Sequence, residues 1–108
     1  MTQKSEIMEQ IERIQVMEAL LDQAAAAVAG LETALDAYEA AQVALRSLGE
    51  YLASEEWIAD YEADEAGQLP ADLKRGVLSQ DTVYDLLSED QEQAARMLEV
   101  VAGRLRQG

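Results

Sequence analysis

Apolar residues in the first half of the chain recur every seven positions and form two rows, three positions apart, with a third row beside them. The three rows form an apolar face wider than a strict coiled-coil seam, and acidic residues such as Glu9, Glu12 and Asp36 occupy the opposite side. The pattern predicts one long helix over about residues 5–53, with Ser5 as its N-cap. The rows are Ile7, Ile14, Leu21, Val28, Leu35 and Gln42; Met17, Ala24, Leu31, Tyr38, Leu45 and Leu52, with Gln10 at its start; and Leu20, Ala27, Ala34, Ala41 and Leu48.

Gly30 is the internal position at which this helix could end, because glycine often closes a helix in the left-handed conformation. No polar turn cluster surrounds it, and the apolar rows cross it in phase. An unbroken helix would be about 70 Å long, at about 1.5 Å per residue. A break at Gly30 would instead give two antiparallel helices within a compact three-helix bundle. Both arrangements are open at this point.

The remainder of the chain predicts two further helices separated by a loop. Ser54 is placed to cap a short helix over about residues 55–63, and Ser79 a C-terminal helix over about residues 80–105. Residues 64–78 are predicted as an ordered loop, because Gly67 and Pro70 mark turns. We therefore expect a single all-α domain over residues 1–108, with bundle or coiled-coil-like packing.

The composition argues against most enzyme chemistry. None of the 108 residues is cysteine or histidine, so thiolate nucleophiles, disulfides and histidine-based acid–base or zinc chemistry are excluded. No glycine-rich phosphate cradle is present, and the acids of residues 60–71 fail the calcium-loop pattern, which needs Gly where Glu65 stands and Glu where Ala71 stands. We expect no catalytic residue, no cofactor and no metal.

The formal net charge is −14, and residues 50–72 carry eight acidic side chains and no basic one. Such a surface repels phosphates, so nucleic acid and anionic membranes are not expected as partners. The longest apolar run, Ala24–Ala29, is far too short to span a bilayer, and no signal-peptide pattern opens the chain. These observations predict a cytoplasmic protein.

The most distinctive segment, Trp57–Asp81, is called the connector here. Its Trp57 and Tyr61 lie four positions apart on one helix face, and Lys74 and Arg75 follow a block of acids. These residues either brace the loop against the helices or form a small-ligand or cation pocket that Lys74 and Arg75 close. The candidate interaction or structural residues are Trp57, Asp60, Tyr61, Asp64, Glu65, Pro70, Lys74, Arg75 and Asp81.

The connector and the helix opening after it read W-I-A-D-Y-E-A-D-E-A-G-Q-L-P-A-D-L-K-R-G-V-L-S-Q-D-T-V-Y-D-L-L, from Trp57 to Leu87. This resembles the signature of a family of small bacterial proteins known only as a domain of unknown function, the one numbered four-two-nine-eight. Ile11 to Ile14 and Met17-Glu18 resemble the start of that family. Gln80 departs from it, since an acidic residue is expected there. The resemblance implies a small helical bacterial protein and supplies no activity, substrate or site.

The leading hypothesis is a non-enzymatic interaction protein that forms a homodimer or binds another protein. A C-terminal helix of about 40 Å would cover only part of the first helix, so the rest of the apolar face needs a partner. The alternative is a small-ligand or cation sensor built on the connector. A third possibility, an acidic mimic of nucleic acid, fits the charge, but the nearly balanced charges of residues 73–108 do not suit it.

Overall fold

The computed structural model describes residues 2–108, with side chains from residue 3 onward. It contains helix α1 (Thr2–Leu52), helix α2 (Glu55–Glu65), a 3-10 turn (Gly76–Leu78) and helix α3 (Gln80–Gln107). Within these described residues there is no strand. The predicted all-α class and the order of long helix, short helix, loop and C-terminal helix are confirmed.

Helix α1 runs through Gly30 without interruption, so the break and the three-helix bundle that it would have allowed are wrong. Gly30 has no neighbouring atom within 4 Å of the place where a Cβ would lie, and its φ is not in the left-handed region that a helix-ending glycine adopts. The helix also begins at Thr2, so the N-cap predicted at Ser5 is wrong too. Gln3 and Lys4 are good helix formers, and no glycine or proline interrupts this segment, so the helix extends on the N-terminal side of Ser5.

The caps of the other two helices are those that the sequence predicts. The Ser54 hydroxyl accepts a hydrogen bond from the Trp57 backbone N–H at 3.2 Å, and Ser79 accepts one from the Thr82 N–H at 3.4 Å. Helix α2 continues two residues beyond the predicted end and stops at Glu65, because Gly67 supplies the positive φ of 70° at which the chain turns.

By compactness the chain forms two units, Met1–Ala41 and Gln42–Gly108, so the expectation of one domain stays a prediction. In the first unit every described side chain from residue 3 to residue 37 is exposed, apolar rows included. In the second unit the 3-10 turn contacts both α2 and α3. Leu78 of that turn and Val83 of α3 are buried, with 8% and 5% of their surface exposed, and they form the core of the described chain.

Helix α1 is long and apolar enough to meet a length-and-composition test for a membrane span, with mean hydropathy 1.3 over 18 residues of Gln3–Leu52. Core helices of soluble proteins and signal sequences pass the same test. The longest part of α1 without a charged side chain is the nine residues between Asp22 and Glu32, whereas a spanning helix needs about 20 apolar residues. The absence of a membrane partner and the cytoplasmic location stay predictions.

The first prediction concerns Gly30. Replacing Gly30 with Ala should raise the free energy of unfolding by about 0.5–1 kcal/mol, because alanine restricts the unfolded chain and the new methyl group meets no atom. Thermal and urea unfolding followed by circular dichroism measure the change. The matched control is Gly67→Ala, which should destabilise because the φ at Gly67 is 70°. A loss of stability in Gly30→Ala would mean that α1 is not an uninterrupted helix there.

Candidate functional site

Trp57 joins helix α2 to the 3-10 turn. Its ring stacks on that of Tyr61, with centroids 5.3 Å apart and an interplanar angle of 19°, as the four-residue spacing predicts. The indole Nε1–H donates a hydrogen bond of 2.9 Å to the backbone carbonyl of Val77. The half-buried Trp57 therefore contributes both apolar contact and a directed hydrogen bond between segments 20 positions apart.

Arg75 ties the loop after α2 back to that helix. Its Nη1 forms an ion pair with the Asp64 carboxylate, and its Nη2 donates to the carbonyl of Pro70. Its Nε donates to the carbonyl of Leu73 at 3.3 Å. The side chains of Arg75 and Asp64 keep only 32% and 22% of their surface exposed, so this pair is less screened than a fully exposed one. The brace that was predicted between the basic pair and the acidic block is present for Arg75.

Lys74 does not share that role. It is exposed, and no ion pair of its amine is found among the described side chains. With Arg75, Tyr51 and Asp60 it lines a shallow cavity of about 260 Å³ between the loop and the helices. The charge of Lys74 is therefore available to solvent beside the braced loop.

Tyr51 and Asp60 connect the last turn of α1 to α2. The Tyr51 hydroxyl donates to Asp60 Oδ2 at 2.5 Å. This hydrogen bond, followed by partial desolvation and by the charges of Asp60 and Glu56, raises the pKa of Tyr51 to about 12 from its usual value of 10. The Tyr51 side chain thus makes a polar contact that joins the end of α1 to α2.

The remaining candidate residues lie at the edges of the connector. Glu65 is the exposed last residue of α2, and Asp81 lies in the first turn of α3, where its charge favours the helix dipole. A second shallow cavity, of about 390 Å³, is bordered by Trp57, Tyr61, Leu78, Ser79, Gln80 and Asp81. Lys74 and Arg75 line the first cavity, and Trp57 and Tyr61 border the second, so the two pairs line different cavities.

Sequence reasoning missed two participants in the brace, the Val77 carbonyl and the Leu78 side chain. The Val77 carbonyl is a backbone acceptor, and any residue carries such a group, so no sequence pattern marks it. Pro70 is among the candidate residues as the mark of a turn, and its role as an acceptor for Arg75 is seen only in the structure. Leu78 is buried, and the apolar pair Val77-Leu78 directly before the capping Ser79 was the available signal for an anchor in the loop.

Four connector side chains use polar groups within the chain, those of Trp57, Asp60, Asp64 and Arg75. In the described part of the chain, no group of three or more acidic side chains is placed to hold a metal ion. Nor does that part contain a buried side-chain nitrogen or oxygen without a hydrogen-bond partner that a ligand would be needed to satisfy. The contacts of Trp57 and Arg75 tie the loop to α2.

The family model for a domain of unknown function, DUF4298, matches residues 14–100. The chain belongs to the DUF4298 family. The predicted resemblance is thereby confirmed, and the matched range takes in most of α1, the whole connector and most of α3. No curated protein and no solved structure matches the chain. Membership in DUF4298 supplies no activity, so any functional argument has to come from the surfaces of the protein itself.

The side chain of Arg75 should contribute to the free energy of unfolding, whereas that of Lys74 should not. We expect Arg75→Gln to lower the free energy of unfolding by on the order of 1 kcal/mol, because the Asp64 carboxylate loses its partner in a partly buried place. Lys74→Gln, the matched removal of a positive charge, should change it by less than about 0.5 kcal/mol. Urea unfolding at a fixed protein concentration measures both. Equal losses in the two variants would contradict the brace.

Tyr51 should make stability depend on pH in the alkaline range. Its folded-state pKa is about 12 and its ordinary value is 10, so the folded chain holds the phenolic proton more tightly. The resulting stabilisation is complete below about pH 10 and is lost as the pH rises toward about 12. Tyrosinate absorbance should show a late-titrating component that Tyr51→Phe abolishes. Tyr84→Phe is the control and should keep the late-titrating component. The assignment to Tyr51 is wrong if the component persists in Tyr51→Phe or disappears in Tyr84→Phe.

Proposed function

We propose that this DUF4298 protein is a non-enzymatic helical interaction module that binds protein through the apolar face of α1. The observation that carries the proposal is the exposure of that face. Eight large apolar side chains of its three rows keep 44–66% of their surface exposed. They are Ile7, Ile14, Met17, Leu20, Leu21, Val28, Leu31 and Leu35.

An exposed face of this size has a thermodynamic cost that binding would remove. Covering one large aliphatic side chain contributes roughly 1.5–3 kcal/mol, and soluble monomers rarely expose contiguous apolar patches beyond a few hundred Å². Helical stability in proteins also comes mainly from packing of such a face rather than from intrinsic propensity. A protein surface that covers the face supplies both the burial and the support for the helix.

The charges indicate which class of partner fits. A net charge of −14 disfavours nucleic acid, whose phosphates would be repelled. A bilayer core is a poor cover as well, because α1 carries Glu18 and Asp22 among its apolar residues. Each acid at the centre of a membrane costs about 2.5–3.5 kcal/mol on insertion scales. A protein surface can leave both acids at its rim, in water.

A small-ligand or cation sensor is the alternative, and the cavity beside Trp57 and Tyr61 is what it has in its favour. The indole N–H of Trp57 is already used by the Val77 carbonyl, and its ring face by Tyr61. The groups that would recognise a ligand are thus engaged within the chain. The exposed face of α1 has no such internal partner from residue 3 to residue 37, so it supports the interaction role better.

The test compares two methionines on opposite sides of α1. Met17 lies in the apolar face and is 56% exposed, whereas Met8 is 59% exposed and lies nine residues earlier, about 180° around the helix. Met17→Glu should weaken association at least about tenfold, because it places a carboxylate in the covered surface, and Met8→Glu should leave it within about twofold.

Association is measured as the self-association constant by sedimentation, and as retention of specific proteins by each variant on a column. Circular dichroism checks that both variants remain helical. The proposal is overturned if Met17→Glu and Met8→Glu behave alike, whether both retain every association of the natural sequence or both lose it.

A further inference from the structure

We infer that the partner is a second copy of this chain, whose α1 packs against the first α1 in parallel and in register along the apolar face. The inference rests on the proposed function and names the occupant of that surface. Its grounds are the area left uncovered, the side chains in each layer and the charges beside the layers.

The uncovered surface lies in the first unit. Every described side chain from residue 3 to residue 37 is exposed, so the apolar rows have no cover within that unit. Soluble monomers rarely expose contiguous apolar patches beyond a few hundred Å², which favours a partner over this stretch.

The surface also has the extent of a specific interface. In heptad notation, with Ile7 at position a, the rows a, d, e and g between residues 7 and 41 provide twenty positions on each copy. A standard protein interface uses about 20–30 residues a side. The number of residues that two paired α1 helices would contribute is therefore that of an ordinary protein interface.

The side chains at positions a and d form successive layers along that interface, and they favour two parallel helices. Three of the five a positions hold β-branched residues, which favour a parallel two-stranded coiled coil at that position. They are Ile7, Ile14 and Val28, and the other two positions hold Leu21 and Leu35. Gln10 stands at position d among apolar neighbours, and a lone polar residue in a layer fixes the register, since any other alignment sets it against an apolar side chain.

The charges beside the layers distinguish the two orientations. In a parallel pair each g residue lies beside the e residue five positions later on the other copy, which brings Arg13 next to Glu18 of the second copy. Further along, Ala27 and Ala34 lie beside Glu32 and Glu39 of the second copy, so no like charges meet.

An antiparallel pair would place the e row of one copy beside the e row of the other. That row carries Glu18, Glu32 and Glu39, so acids would face acids along the seam. Such like-charge contacts are destabilising, and the parallel pair replaces them with two Arg13–Glu18 pairs. Charge therefore selects the parallel orientation.

A single introduced cysteine reports the orientation, since the sequence has no cysteine of its own. In the full-length protein, Gln10→Cys should form a reducible disulfide dimer under mild oxidation, because the parallel register places both copies of residue 10 in one layer. Met8→Cys, on the far side of the helix, is the matched control and should remain largely monomeric in denaturing gels. Sedimentation of the natural sequence at tens of micromolar should give a dimer that Met17→Glu dissociates at least tenfold more readily.

Other outcomes separate this inference from the proposed function. A mixed disulfide between Gln10→Cys and Leu35→Cys chains, without the Gln10→Cys homodimer, would show an antiparallel pair and overturn the orientation. A monomer at tens of micromolar would overturn the second copy as partner. In that case the proposed function stands if a protein retained by the natural sequence is lost with Met17→Glu and kept with Met8→Glu. A dimer insensitive to Met17→Glu would overturn both.

Discussion

The scarcity of burial is the constraint on which the rest of this structure depends. Leu78 and Val83 are the buried apolar side chains of the described chain, although 49% of all residues are hydrophobic. A helix in water is marginal unless its apolar face is covered, so α1, whose apolar rows are exposed, is the element that a covering partner would stabilise most. Polar contacts in the connector supplement the small core of the second unit, whereas the apolar rows of α1 remain exposed in the first unit.

In the second unit, directed polar contacts supplement the small core. Trp57, Arg75 and Tyr51 each join two segments through a hydrogen bond or ion pair, and two of these bonds end on backbone carbonyls of the loop. Such contacts fix geometry well but contribute modestly to net stability, since each replaces hydrogen bonds to water. They explain how a loop with one buried leucine keeps a defined conformation.

The parts of this structure that sequence predicted are those set by local spacing. The helices follow from periodicity and from Ser54 and Ser79 as caps, and the Trp57–Tyr61 stack follows from a separation of four residues. Arg75 finding Asp64 was predictable from opposite charges near one another in a short segment. The Val77 carbonyl and the Tyr51–Asp60 bond were not, because they depend on where the chain returns after Gly67. Helix α1 continues through Gly30, so a glycine without turn residues around it lowers the stability of a helix but does not end it.

The chain has no cysteine or histidine, and within its connector Trp57, Asp64 and Arg75 use polar groups for contacts inside the chain. Its high negative charge does not oppose contact through α1, because the acids of Glu9, Glu12 and Asp36 lie on the side away from the apolar rows. The same charge discourages unspecific clustering of an otherwise adhesive helix. This separation of the apolar rows from those acids supports the proposed interaction role, since contact through the rows leaves these acids in water.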